Sequence, residues 1–200
     1  MFQRFRAYLF PALLLLIASA PAFGAERVTG PLLRGAALES AAASMLADIG
    51  QASWVRDGKS ARAIYVFFDP NCPFCRKVYD GLRAEVDMGE VELRWIPIGV
   101  LMATSPGKAA AILEARDPTA ALHRNEHNFS TETGSFGGIE EEPAPRDDTV
   151  ARLERNLALL RRSGMDTVPA LLYRSKDGRA HFVVGAPPRP ALERILKELQ

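Results

Sequence analysis

The sequence predicts an α/β fold made of a βαβ unit, a helical insertion and a ββα unit. Apolar runs typical of strands lie at residues 63–68 and 91–100, and the helical stretch between them makes the two strands a parallel pair. Residues 170–184 follow as two short strands around a tight turn, and a helix at 190–199 finishes the chain. This order of elements is that of a thioredoxin fold.

Two helices are predicted from the spacing of apolar residues. Residues 36–56 are rich in alanine and form an amphipathic linker helix in front of the first strand. The helix between the first two strands begins near Pro73 and presents Val78, Leu82 and Val86 on one face. That face is expected to pack on the sheet.

The insertion is expected to be mainly helical. Ser105 and Pro106 are typical of an N-cap and a first helical residue, and Pro118 indicates a second helix start. Residues 129–148 contain glycines, prolines and an acidic run, which predict a flexible loop. A third helix follows over residues 150–160.

The N-terminus has the pattern of a secretory signal. Arg4 and Arg6 precede an uncharged stretch that reaches Ala25, and small residues allow cleavage after Gly24. The stretch is nearly long enough to span a bilayer, but its prolines and small residues favour cleavage over anchoring. Residues 1–24 are therefore predicted to be a signal peptide, and the protein is expected in the periplasm.

The remaining chain is divided into two parts. Residues 25–58 form the N-terminal segment and linker helix, and residues 59–200 form the thioredoxin-fold domain with its insertion at about 105–164. Loss of residues 1–24 removes two arginines, so 23 of the 25 basic residues would face 24 acidic ones, a net charge of −1. This balance gives no indication of nucleic-acid binding.

Cys72-Pro73-Phe74-Cys75 contains the two cysteines of the sequence. A thiolate in the first turn of a helix faces free backbone N–H groups and the positive end of the helix dipole, which lowers its pKa. Pro73 suits that turn because its missing N–H is not needed there. We therefore expect a redox-active dithiol, in which Cys72 attacks and Cys75 resolves.

Two other roles are open to the pair. A structural disulfide here would close a loop worth only about 2 kcal/mol in the chain-entropy model. A structural zinc site needs four ligands, and the sequence has no further cysteine. A soft-metal-binding or metal-delivery module that uses the dithiol is the alternative function, although no histidine or methionine adjoins the motif.

The motif and its surroundings resemble the periplasmic thiol:disulfide interchange proteins of the DsbC/DsbG type, with the greater likeness to DsbG. The matching segments are Trp54 to Lys59, Phe68 to Lys77 and Thr167 to Ala170, with further matches at Gly99-Val100, Ser105-Pro106, 109–113 and Asp117-Pro118. The resemblance covers about residues 52–200. It implies a thiol:disulfide oxidoreductase or isomerase that needs no cofactor or metal.

The resemblance also implies how a client protein is bound. In such proteins the proline that matches Pro169 is cis and lies against the dithiol, where Thr167 and Val168 pair with client peptide in strand fashion. Pro73 and Phe74 are expected to supply apolar contact. Val168 stands where those isomerases usually carry threonine.

The implied partners are cysteine-containing exported proteins and a membrane redox partner that recycles the dithiol. Too few residues separate the predicted cleavage site from Trp54 for the N-terminal dimerisation domain of these proteins, so a monomer is expected. The sequence does not separate oxidase, reductase, isomerase and sulfenic acid reductase.

Two further features have a chemical and a structural interpretation. His123 and His127 belong to an H-x-x-E-H pattern, which zinc peptidases use, but a solvated helix face is the preferred interpretation. Asp69, at the end of the first strand, has two equal alternatives: it tunes the dithiol or shuttles a proton, or it is simply an acid near a turn.

Overall fold

The computed structural model describes residues 33–132 and 136–200. The predicted signal peptide, residues 1–24, lies outside the described residues, as do residues 25–32 and 133–135. In the described ranges, no helix is both long enough and apolar enough to cross a membrane.

The described residues form seven α-helices and five β-strands around one hydrophobic core. In chain order they are α1 (Ala36–Ala47), β1 (Val55–Asp57), β2 (Ala63–Phe68), α2 (Pro73–Gly81), α3 (Arg83–Asp87), β3 (Glu92–Pro97), α4 (Ser105–Glu114), α5 (Pro118–His127), α6 (Asp147–Arg161), β4 (Ala170–Arg174), β5 (Ala180–Val184) and α7 (Arg189–Glu198).

The five strands make one mixed sheet in the order β1-β3-β2-β4-β5. β2 and β3 are parallel, with Phe68 opposite Pro97, and β4 is antiparallel to β2, with Ala170 opposite Phe67. β5 is antiparallel to β4, and β1 is antiparallel to β3. The predicted βαβ unit, helical insertion and ββα unit are therefore confirmed as a thioredoxin-like fold.

The centre of the sheet is buried on both faces. Phe67, Phe68, Trp95 and Ile96 are fully buried, and the rings of Phe68 and Trp95 meet edge to face with centroids 5.3 Å apart. A strand that is buried on both faces has a continuous apolar sequence rather than an alternating one. This is why β2 and β3 could be predicted from the sequence. Their carboxyl ends lie side by side and place the loops that follow them next to each other.

The linker helix α1 packs on the sheet of its own chain. It contacts β4 and β5, and Ala42 and Met45 on its apolar face are fully buried. Leu38 and Ile49 pack against the same core and are partly buried. The apolar face predicted from the sequence is thus covered within the chain.

The helix predicted over residues 36–56 is shorter in the structure. α1 ends at Ala47, and β1 adds an edge strand before residue 59, with Val55 opposite Trp95. A three-residue strand that carries two charges has no apolar alternation to reveal it. Its Asp57 points inward, where Arg83 donates two hydrogen bonds to the carboxylate.

The helix predicted after the first strand is interrupted. α2 ends at Gly81, and Leu82, with φ −116° and ψ 5°, separates it from α3. Val78, Leu82 and Val86 are nevertheless all buried, so the predicted face is correct although the helix is not continuous.

The segment predicted as a flexible loop contains packed residues. Gly137 is buried, and a Cβ at this position would overlap the carbonyl oxygen of Pro70 and the side chain of Asn125. The Gly138 N–H donates to the Asn125 carbonyl at 2.9 Å, and Ile139 packs against the core. Short polar and glycine-rich sequences do not reveal such packing, because the contacts are made by backbone.

Candidate active site

The two cysteines lie where the carboxyl end of β2 passes into α2. Cys72 is the N-cap residue of α2 and Pro73 is its first helical residue. The Cys75 N–H donates to Cys72 Sγ at 3.3 Å, so a backbone donor of the helix start points at the first sulfur. Both cysteines are free thiols.

The surroundings of Cys72 favour its thiolate. The pKa of the Cys72 thiol is lowered, chiefly because the Cys75 thiol donates a hydrogen bond to its sulfur. The backbone N–H groups of Cys75 and Phe74 lower the pKa further, whereas burial opposes them. The backbone donors of the helix start therefore account for part of the lowered pKa of Cys72, and the Cys75 thiol accounts for the largest part.

Cys75 has the opposite tendency. Burial raises the pKa of its thiol well above the usual range, and the hydrogen bond given to Cys72 and the charge of Cys72 raise it further. The pair therefore favours a thiolate at Cys72 and a protonated thiol at Cys75.

The proline that follows Val168 lies beside the dithiol. The Val168–Pro169 peptide bond is cis, and Cys72 Sγ lies 3.8 Å from the Val168 carbonyl oxygen. Val168 and Pro169 are buried, whereas Thr167 is exposed. These three residues and Cys72 are therefore neighbours in space, although 96 positions separate Val168 from Cys72 in the sequence.

Exposed apolar side chains surround the motif. Phe74 is 54% exposed, although Cys72 beside it is only 2% exposed. Val100, Leu101 and Met102, in the loop after β3, are also exposed. The first sulfur of the motif therefore lies just below a surface that carries exposed apolar side chains.

Asp69 ties the loop after β3 to the motif. Its carboxylate is fully buried and accepts hydrogen bonds from the Val100 N–H at 2.8 Å, the Leu101 N–H at 3.1 Å and the Ser105 hydroxyl at 2.8 Å. The Asn71 N–H donates to the same carboxylate at 2.9 Å. Burial raises the pKa of Asp69, while these four donors oppose the rise. Asp69 is thus an anchor, and Ser105, expected as an N-cap, is instead the first residue of α4 and one of its partners.

A second tie joins the motif to the insertion. Lys108 is buried, and its Nζ donates to Asn71 Oδ1 at 3.0 Å and to the Gly137 carbonyl at 2.7 Å. The Asn71 amide donates in turn to the hydroxyls of Thr104 and Ser105. Burial lowers the pKa of Lys108. Neither Lys108 nor Asn71 was predicted as a site residue, since a single lysine in a helix is usually a surface residue.

The interpretation of His123 and His127 as a solvated helix face holds for His127, which is exposed, but not for His123, which is half-buried. The Tyr79 hydroxyl of α2 lies 2.5 Å from His123 Nδ1 and 3.1 Å from His127 Nε2. Burial lowers the pKa of His123, which also lies 3.5 Å from the Asp57 carboxylate. The two histidines therefore dock α5 onto α2. Across the described part of the chain, no group of three or more Cys, His, Asp and Glu side chains is arranged to hold a metal ion.

The acid between those histidines is buried. Glu126 is 1% exposed, and its Oε1 accepts a hydrogen bond from Asn125 Nδ2 at 3.0 Å. Asn125 Nδ2 also donates to the carbonyl of Pro70, two residues before Cys72. Burial raises the pKa of Glu126 to about 8. The motif H-x-x-E-H drew attention to this residue in the sequence, but for a zinc site rather than for burial beside the dithiol.

Comparison with known proteins agrees with this geometry. Residues 55–200 match the family described as thioredoxin-like domain. The thiol:disulfide interchange protein DsbG of Pseudomonas aeruginosa is 34% identical over 148 residues, which are 73% of this chain and 56% of that protein. DsbG of Escherichia coli is 30% identical over 176 residues, 86% of this chain and 68% of that protein. The chain belongs to the thioredoxin-like family and to its DsbG-related group.

The chain spans little more than half the length of the first of these relatives. Among solved structures, the catalytic domain of Proteus mirabilis ScsC matches with a TM-score of 0.61 over 78% of this chain and 96% of that domain, at 23% identity. At this level of identity, the likeness shows that the two proteins share a fold.

The structure brings together most of the residues that the sequence analysis selected. Cys72, Pro73, Phe74 and Cys75 form the start of α2, and Val168 meets Cys72 through its carbonyl. Thr167 and Pro169 adjoin Val168 along the chain. The residues that were not predicted for the site are Asn71, directly before the motif, and Lys108, Asn125 and Glu126 in the insertion.

Proposed function

We propose that this protein is an exported thiol:disulfide oxidoreductase that acts on cysteines of other exported proteins. The observation that carries the proposal is the opposite protonation tendency of the two thiols at the start of α2. The pKa of Cys72 is lowered by donors that include the Cys75 thiol, and the pKa of Cys75 is raised by burial. Membership of the DsbG-related group supports the same chemistry.

The reaction follows from this asymmetry. The Cys72 thiolate attacks one sulfur of a client disulfide, the other client sulfur leaves as a thiolate, and a mixed disulfide with Cys72 remains. Cys75 then attacks Cys72 Sγ, which releases the second client sulfur and oxidises the pair to a disulfide. The same steps in reverse transfer a disulfide to a client, and the direction is set by the redox potentials of the partners.

Client binding is assigned to the residues around Cys72. We expect a client chain to lie in extended form beside Thr167 and Val168, next to Pro169. Pro73 and the exposed ring of Phe74 would contact apolar side chains of the client. The support for this arrangement is the 3.8 Å approach of Cys72 Sγ to the Val168 carbonyl and the 54% exposure of Phe74.

The protein is proposed to work in the periplasm as a monomer. The signal-like N-terminal sequence supports export, and the coverage of the apolar face of α1 by β4 and β5 supports a monomer. A membrane redox partner would return the dithiol to its working state, because each turnover with a client leaves the pair in the opposite redox state.

Trapping of mixed disulfides tests the proposed function. Cys75→Ser keeps the attacking thiol but removes the resolving one, so client proteins should accumulate as adducts that are seen on non-reducing gels. Cys72→Ser is the matched control and should form none. Equal adduct formation by the two variants, or none by either, would overturn the assignment.

A further inference from the structure

We propose that Glu126 is the proton acceptor for Cys75 when the mixed disulfide is resolved. This inference rests on the proposed function and deepens it, because it concerns the second step of that reaction. Cys75 is a buried thiol and becomes a nucleophile only after it loses its proton. A base close to it is therefore required.

The two helices place Glu126 beside the dithiol. Cys75 and Tyr79 are one turn apart on the buried face of α2, and Tyr79 meets His123 and His127 of α5. At the end of α5, Asn125 holds the Pro70 carbonyl of the loop that leads into Cys72. Glu126 lies between these two attachments, and its carboxyl is close enough to Cys72 and Arg76 for their charges to shift its pKa.

The carboxyl group has one oxygen free to take a proton. Oε1 accepts the hydrogen bond from Asn125, whereas Oε2 is buried and has no partner among the described residues. Buried carboxylate oxygens are nearly always hydrogen-bonded, so an unpartnered one requires an explanation. A site that alternates between holding and releasing a proton supplies one.

The charges around Glu126 make its proton affinity depend on the state of the dithiol. Burial raises its pKa to about 8, and the charges of Asp80 and the Cys72 thiolate contribute to the rise, while Asn125 and Arg76 lower it. The charge of Glu126 in turn raises the pKa of Cys75 and Tyr79. When Cys72 enters a mixed disulfide its negative charge disappears, so the pKa of Glu126 falls and more of the carboxyl is ionised at the moment a base is needed.

The step balances as follows. The Cys75 thiol gives its proton to the Glu126 carboxylate, and the Cys75 thiolate attacks Cys72 Sγ. The new Cys72–Cys75 bond forms as the Cys72–client bond breaks, and the client leaves as a thiolate that carries the negative charge. The two cysteines are oxidised, the client sulfur is reduced, and the proton remains on Glu126 until solvent removes it.

A symmetrical aromatic disulfide whose thiolate is coloured separates the two steps in one stopped-flow trace. Attack by Cys72 releases the first coloured thiolate, and resolution by Cys75 releases the second. Glu126→Gln keeps an oxygen to accept from Asn125 but cannot take a proton. At pH 7 it should leave the first phase unchanged and slow the second by about a hundredfold, the lower range of general acid–base contributions.

Asp80→Asn is the matched control because Asp80 is a nearby acid with an exposed side chain. It should keep a fast second phase whose rise with pH moves slightly to lower pH, since Asp80 is one of the charges that raise the pKa of Glu126. An unchanged second phase in Glu126→Gln would overturn the proton role and leave the proposed function standing. Absence of the first phase in the wild type would overturn the proposed function itself.

The free energy of unfolding, measured over a range of pH, tests the proposal without measuring turnover. The comparison uses the change with pH, so a constant difference in stability between the two proteins does not affect it. A carboxyl whose pKa is about 8 when folded and about 4.3 when unfolded binds more protons in the folded state between those values. The wild type should therefore lose stability relative to Glu126→Gln as pH rises from about 4.3 towards 8. Parallel stability profiles would show that Glu126 is ionised throughout and would contradict the proposal.

Discussion

Cys72 Sγ lies 3.8 Å from the carbonyl oxygen of Val168, so the reactive sulfur faces the peptide bond that precedes Pro169. The Val168 side chain is buried and offers only methyl groups. The position therefore contributes shape to the site but no hydrogen bond from its side chain.

Val168→Thr should change the redox properties of the dithiol more than the stability of the fold. A threonine hydroxyl at this position is able to donate to the Cys72 thiolate, which would lower the pKa of Cys72 and make the protein more oxidising. Thiolate absorbance against pH and a glutathione redox equilibrium measure the two quantities. Val184→Thr, the same change at an exposed strand position, is the control. If neither quantity moves while a melt shows a folded protein, Val168 does not tune the site.

Gly137→Ala should destabilise the protein although the residue lies in a loop. A Cβ would overlap the Pro70 carbonyl and the Asn125 side chain, and overpacking of this kind costs about 1–3 kcal/mol. Gly50→Ala is the control, since a Cβ there meets nothing within 4 Å. Denaturant melts of both variants give the comparison. Equal stability of the two would mean that residues 136–139 do not hold the active-site loop.

The residue at position 75 should control the pKa of Cys72 through its donor. The Cys75 thiol is the largest cause of the lowered Cys72 pKa, and a serine hydroxyl preserves a donor that alanine lacks. The pKa of Cys72 should therefore be higher in Cys75→Ala than in Cys75→Ser. The pH dependence of alkylation in the two variants measures the difference, and identical profiles would assign the lowered pKa to the backbone donors alone.

The sequence predicted the elements whose role depends on their own residues alone. The apolar runs of β2 and β3 and the paired cysteines at a helix start needed no tertiary information. The edge strand β1 and the burial of Lys108 were not predicted, because both depend on partners that are far away in the sequence. Asp57 is held by Arg83, and Lys108 is held by Asn71 and Gly137.

The insertion was the least predictable part of the site. The pattern that contains His123 and His127 was correctly placed on a helix, but its partner, Tyr79, lies on α2, 44 positions away from His123. Spacing along one helix shows which side chains share a face, and it does not show what that face contacts. For the same reason the burial of Glu126 had no signal in the sequence.

The mature protein should be monomeric in solution. The apolar face of α1, with Ala42 and Met45, is already covered by β4 and β5 and is not available to a second copy. Light scattering at micromolar concentration, on protein without the predicted signal peptide, measures the mass. A stable dimer would show that another surface, such as the apolar residues around Phe74, joins two copies.

The order of reactivity of the two cysteines tests the central claim most directly. Reduced protein is alkylated for short times over a range of pH, and mass spectrometry identifies the labelled residue. We expect Cys72 to be labelled first, with a midpoint below the value of about 8.5 for a free cysteine, and Cys75 to be labelled only after denaturation. Labelling of Cys75 first, or a Cys72 midpoint at or above that value, would contradict the account.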